Sequence, residues 1–341
     1  MNVVSPVLDT ASLGLHWPTV DPFLFCAHHR DTYPAGTASF GPPAAALAGR
    51  NLGSDFEARD GWRMYHGQTV PGFPQHPHRG FETVTFVRSG FIDHADSLGA
   101  TARFGAGDAQ WLTAGRGIVH AEMFPLLDPT RPNPAELFQI WLNLPKAEKM
   151  VDPYFTMLWA DALHREIVLD DVGRASEVTV IAGRFGGHKT VAPPPDSWAS
   201  RDDSDVGIWE VRLSALARWV LPKAEAGTTR MLYFFEGSSL IVGGHRLASA
   251  TGALLRCDTD VVVEADAGGA CCLVLQGRPI AEPVAQYGPF VMNDRAGIEQ
   301  AFADYERTGF GGWPWSATDP INGPDPVRFA RHSGGRKEQP A

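Results

Sequence analysis

At 341 residues the chain exceeds one ordinary core and predicts two domains, while 36 Gly and 27 Pro predict many turns and few long helices. A formal charge of −10 with no Lys/Arg run argues against direct nucleic-acid binding, which draws on a basic patch. No stretch approaches the ~20 apolar residues of a membrane span, no charged and apolar leader opens the chain, and Cys26, Cys257, Cys271 and Cys272 form no CxxC or zinc-ribbon spacing; a cytoplasmic protein with reduced thiols is expected.

Residues 1–60 hold Pro, Gly and Ala clusters and are expected to wrap a barrel rather than fold alone. From Trp62 short apolar runs alternate with glycines: Phe81–Val87, Phe91–His94, Ala109–Leu112, Gly117–Phe124 and Glu136–Leu144. Strand-length pieces at this spacing predict an antiparallel sandwich or barrel over residues 61–150. The polar stretch from Pro145 to about residue 175 is expected to connect domains. Strand-like pieces resume over 175–292, repeating the first architecture in a second, metal-free barrel. One helix is predicted over 293–309: Asn293 or Asp294 caps it, Ile298, Ala301, Phe302 and Tyr305 form its apolar stripe, and Gly309 ends it. Residues 310–341 are expected to be a loosely attached tail, anchored by Trp313 and Trp315.

The chemistry concentrates in His76-Pro77-His78-Arg79-Gly80-Phe81-Glu82 and His120-Ala121-Glu122. Side chains at i and i+2 of a strand share a face, so each half presents two ligands together. The parity of His76 and His78 continues into Glu82, Val84 and Phe86, which predicts one interior face for all of them. Three imidazoles and a carboxylate in a barrel interior are a metal site. Imidazole and carboxylate favour Fe, Mn, Ni, Cu, Co or Zn over calcium, and the lack of a cysteine ligand weakens a structural zinc. Because free imidazole titrates near ~6.5, metal affinity is expected to fall as pH drops through that range. His94, beside Asp93 and Asp96, reads as turn hydrogen bonding; His66, His188 and His245 have no partner at ligand spacing. Arg79 and Arg116 flank the ligand pairs, where they could meet a substrate anion.

HPHRGFETVTF, Asp93-His94-Ala95-Asp96-Ser97-Leu98-Gly99, the run from Gly107 to Met123, Gln139-Ile140-Trp141-Leu142-Asn143-Leu144-Pro145 and the run from Glu282 to Asn293 closely resemble the pirin family of the cupin superfamily. The resemblance spans roughly residues 20–310. It implies an all-β fold of two cupin-type antiparallel β-barrel (jelly-roll) domains with a few short helices, and a mononuclear metal, usually iron, in the first. The family's ligands map onto His76, His78, His120 and Glu122. Glu82, the acid of the general cupin pattern, is then expected to orient a ligand histidine. The resemblance implies either of two roles. One is quercetin 2,3-dioxygenase-like turnover of a flavonol or other chelating phenolic, with Fe(II) as cofactor and Glu122 as general base. The other is metal- and redox-dependent regulation of transcription through a protein partner. The segment before Asp21, the tail after 310 and the loop Pro193–Asp205 depart from the family and are expected to reshape the entrance.

Overall fold

The computed structural model describes residues 5–341, which divide into two units. One comprises residues 28–139, 146–161 and 282–341. Its first sheet orders the strands Lys337–Glu338, Phe329–Arg331, Thr101–Gly105, Phe91–Asp96, Ile118–Met123 and Gly72–His78. A second sheet runs from Tyr154–Leu158 through Ala109–Thr113 to Phe81–Ser89 and then the strand holding residues 133–139. Val87 and Leu112 of this sheet share a core with Ile92, Phe104 and Ile118 of the first. Ala109–Thr113 is buried along its whole length, so it reads as a continuous run without the alternation of a half-solvated strand.

The other unit comprises the N-terminal residues to 27, with 140–145 and 162–281. Its seven-stranded sheet orders Val7–Ser12, Thr251–Leu255, Thr229–Glu236, Ala270–Gly277, Gly207–Leu213, Ala175–Ala182 and His164–Leu169. A four-stranded sheet, Arg218–Leu221, Val261–Ala265, Ser239–Val242 and His245–Ala248, joins it around Val178, Trp209, Trp219, Leu232, Val242 and Val263. The expected all-β class holds, in the jelly-roll form of paired sheets with open edges rather than a barrel of continuous hydrogen bonds.

Three stretches differ from expectation. Within residues 1–60, expected to wrap, Val7–Ser12 is a sheet strand and Phe23–Tyr33 a long one. The supposed connection over 145–175 carries Tyr154–Leu158 and His164–Leu169. Both lie at sheet ends, and an end strand such as His164–Leu169 needs only one buried face, so its apolar signal is weak. The tail is stitched down: Phe329–Arg331 pairs with Thr101–Arg103, and Trp315 Nε1 donates to the Asp96 carbonyl at 2.8 Å.

The helix occupies Arg295–Thr308. Asp294 accepts the Gly297 amide at 2.8 Å, and Gly309, left-handed at φ 55°, returns its amide to Tyr305. Ile298 and Ala301 pack with Val119, Phe290 and Phe310, so the helix lies behind the Ile118–Met123 strand. Among the described residues no helix is long and apolar enough to cross a membrane.

Candidate metal centre

Gly72–His78 pairs antiparallel with Ile118–Met123, His76 opposite His120 and His78 opposite Ile118. A register shift between Phe73 and His76 adds one residue to the first strand, so Phe73 stands opposite Glu122. The ring centroids of His76 and His78 are 4.8 Å apart, those of His76 and His120 4.4 Å, and those of His78 and His120 4.9 Å. One ring nitrogen from each of these three residues lies within 4.8 Å of the other two. Glu122 stands beside that group, its Oε2 3.9 Å from His120 Nε2.

The hydrogen bonding of these rings is incomplete in a telling way. His76 Nδ1 donates to the Pro74 carbonyl at 2.8 Å, which leaves its Nε2 lone pair for another partner. His120 is fully buried, yet among the described residues neither of its ring nitrogens has a hydrogen-bond partner. A buried polar atom left unpaired costs about 1–3 kcal/mol, so a ligand role explains what packing does not. Burial holds His76 neutral down to about 4, and burial with the neighbouring imidazoles holds His78 and His120 well below the usual histidine range. Neutral imidazole is the metal-binding form. Three such groups converging on one point fit a divalent transition metal.

Glu122 is held on both oxygens. Thr85 Oγ1 lies 2.8 Å from its Oε1, and Gln139 Nε2 donates to its Oε2 at 3.0 Å. Burial raises its carboxyl above the usual glutamate range, against those hydrogen bonds. Glu82 lies on Phe81–Ser89, in the other sheet, and accepts a 2.7 Å hydrogen bond from Thr113. The parity argument that put Glu82, Val84 and Phe86 on the ligand face does not survive the turn at Gly80, which ends one strand and starts another. Thr85 reaches Glu122, whereas Phe86, of opposite parity, stacks with Phe138.

His94 is buried in the strand Phe91–Asp96, directly opposite Glu122, and not in a turn. Its Nε2 pairs with Asp96 Oδ2 at 3.1 Å, and its ring lies 5.6 Å from that of His120. Asp96 makes the turn, accepting the amides of Leu98 and Ala100. Arg79 does not face a substrate anion: it is buried, donating to Asp304 Oδ2 at 2.9 Å and to the Arg116 carbonyl at 2.6 Å. Arg116 pairs at the surface with Asp152 at 2.9 Å. Lys149, buried and drawn down to about 8 by that burial, donates to the Gly80 carbonyl at 2.7 Å and so braces the turn after His78. Thr85 and Gln139 escaped the sequence reading, although a lone polar residue in the apolar run Leu137-Phe138-Gln139-Ile140 is the signal that marks one of them.

Residues 49–142, which contain all these groups except Lys149, Asp152 and Asp304, match the family model described as Pirin, and residues 208–311 match that of the pirin C-terminal cupin domain. A Pseudomonas aeruginosa protein named "putative quercetin 2,3-dioxygenase" is 38% identical over 245 residues, 69% of this chain and 79% of the relative. The chain belongs to the pirin family. Human pirin is 33% identical over 261 residues, covering 72% of this chain and 81% of that pirin. The crystal structure of quercetin 2,3-dioxygenase from Acinetobacter baumannii superposes with a TM-score of 0.71 at 26% identity, over 91% of this chain and 99% of that one. The tail beyond residue 311 lies outside both pirin family models.

Proposed function

We propose that this pirin is a dioxygenase holding one iron(II) on His76, His78, His120 and Glu122, and acting on a quercetin-like flavonol or another chelating phenol or enol. The observation that carries the reading is the convergence of three neutral imidazoles, His78 and His120 buried and His76 half-buried, with both ring nitrogens of His120 unpaired among the described residues. A divalent ion bound there supplies Lewis acidity and reactivity toward dioxygen that no side chain of this site possesses. The chain's own groups do the rest. His76, with Nδ1 committed to Pro74, presents Nε2. Glu122, whose carboxyl is raised by burial, takes the substrate hydroxyl proton as general base. The resemblance of the chain to proteins named for quercetin dioxygenation supports this substrate class.

The test is anaerobic addition of quercetin to the iron(II)-loaded protein, followed by oxygen. Oxygen uptake with loss of the flavonol supports the enzyme. Redox-dependent capture of a partner without any turnover would favour the regulatory reading instead.

A further inference from the structure

We propose that Thr85 and Gln139 are positioning residues that lock the Glu122 carboxylate in one rotation, so that one lone pair of each oxygen faces the three imidazoles. The inference rests on the reading of Glu122 as a ligand. An ionised carboxylate offers about four lone pairs and otherwise turns freely about its last bond. Here Thr85 Oγ1 sits 2.8 Å from Oε1 and Gln139 Nε2 sits 3.0 Å from Oε2, one partner on each oxygen. Thr85 Oγ1 also lies 2.5 Å from Gln139 Oε1, but its single proton serves one acceptor at a time, and the ionised carboxylate takes it. Thr85 and Glu122 are both nearly inaccessible to solvent, which strengthens the bond between them. Thr85 and Gln139 come from different strands of the sheet facing the ligands, Phe81–Ser89 and Asn133–Asn143. Neither is among the three clustered imidazoles, and each acts only through Glu122.

A merely structural role, satisfying a buried acid, predicts lost stability and an unaltered metal site. A positioning role predicts an altered ligand field. The probe is cobalt(II), titrated into the full chain and into Thr85→Val, Gln139→Leu, Thr85→Ser and Glu122→Gln, with affinity and the visible ligand-field spectrum as readouts. Thr85→Val and Gln139→Leu should each still take one cobalt per chain, roughly 10–100-fold more weakly and with a changed spectrum. Thr85→Ser, which keeps the hydroxyl, should restore both. Wild-type affinity and spectrum in the Val and Leu variants would overturn the proposal, as would a Ser variant as impaired as the Val one. If Thr85→Val does not fold, Gln139→Leu, on another strand, carries the same test. A Glu122→Gln protein that binds cobalt like wild type would overturn the ligand reading itself, an outcome distinct from the failure of the cradle alone.

Discussion

The carbonyl of Thr318 accepts the amide of Gln75 at 2.7 Å, immediately before the first of the three clustered histidines. Gly72–His78 is the last strand of its sheet, and this bond caps its outer edge beyond the point where Met64 and His66 bond to Gly72. Farther along, the same tail lays Phe329–Arg331 against Thr101–Arg103, beyond which Lys337–Glu338 forms the opposite end. Between the two anchors Asn322 donates to Asp93 Oδ2, and Arg103, paired with Asp93, donates to the Asp325 carbonyl. The tail thus grips the sheet that carries the three histidines at both edges.

Deleting residues 313–341 should therefore weaken the fold around the metal centre even though no proposed ligand is lost. With net hydrogen bonds worth about 1 kcal/mol each, a loss of roughly 3 kcal/mol or more is expected, read as a lower urea midpoint together with weaker metal binding. A truncated protein that unfolds and binds metal like the full chain would show the tail to be ornamental.

Gly80 and Gly99 make a matched pair. Both are left-handed, at φ 85° and 79°, but a Cβ on Gly80 would lie 2.0 Å from the Val291 carbonyl oxygen, whereas Gly99 has nothing within 4 Å. Gly99→Ala should cost only the left-handed penalty, about 1 kcal/mol, while Gly80→Ala should cost at least about 1 kcal/mol more. Gly80→Ala should also disturb metal binding, because the turn it forces open follows His78 directly. Equal losses in the two variants, measured by urea unfolding, would refute the steric account.

Elemental analysis of the reconstituted protein should find about one transition metal per chain, since among the described residues only one cluster of three ligand-type side chains forms. His120→Ala should lower metal affinity sharply. Glu82→Gln should do much less, as Glu82 sits in the other sheet, bonded to Thr113. Two equivalents of metal, or equal loss in both variants, would show the ligand set to be misassigned.

Acid should destabilise the metal-free protein before it reaches the carboxylates. An unfolded histidine titrates near ~6.5, while folded His76 stays neutral to about 4 and His78 and His120 lie well below the ordinary range. Through that interval the unfolded chain binds protons that the folded chain refuses, so stability falls as pH drops from about 6.5 toward 4 and is fully recovered above about 6.5. Glu122, raised in the fold, works the other way, but one carboxyl faces three imidazoles. The urea midpoint of the apoprotein should decline between pH 7 and 5, less steeply in His76→Gln; a flat profile would contradict the burial of these rings. The same shift revises the expectation from free imidazole. In the folded chain proton competition for the metal moves below pH ~6.5, so few protons should be released per ion bound at neutral pH.

Much of this was legible because it is local. His76-Pro77-His78 and His120-Ala121-Glu122 each carry their proposed ligand pairs within three residues, and strand alternation alone predicts a shared face. Asp294 and Gly309 bracket the helix by capping chemistry that needs no tertiary information. What stayed hidden depends on partners far away in sequence. Thr85 matters because Glu122 and Gln139 meet it, and His94 is a strand residue because Ile118–Met123 runs beside it. Parity misled at Gly80, where a left-handed glycine lets the chain pass from one sheet to the other and restart the count.

The extra residue between Phe73 and His76 has a consequence for how this gene can vary. Phe73 and His76 are an odd number apart, yet both stand opposite residues of one face, Glu122 and His120, because the bulge absorbs the difference. Losing Pro74 or Gln75 leaves Phe73 and His76 an even number apart, as Glu122 and His120 are, so a regular ladder keeps the phenyl ring and both histidines on one face. Losing both makes Phe73 and His76 neighbours, which a strand points to opposite faces. Parity, more than length, is what inheritance must keep in this stretch.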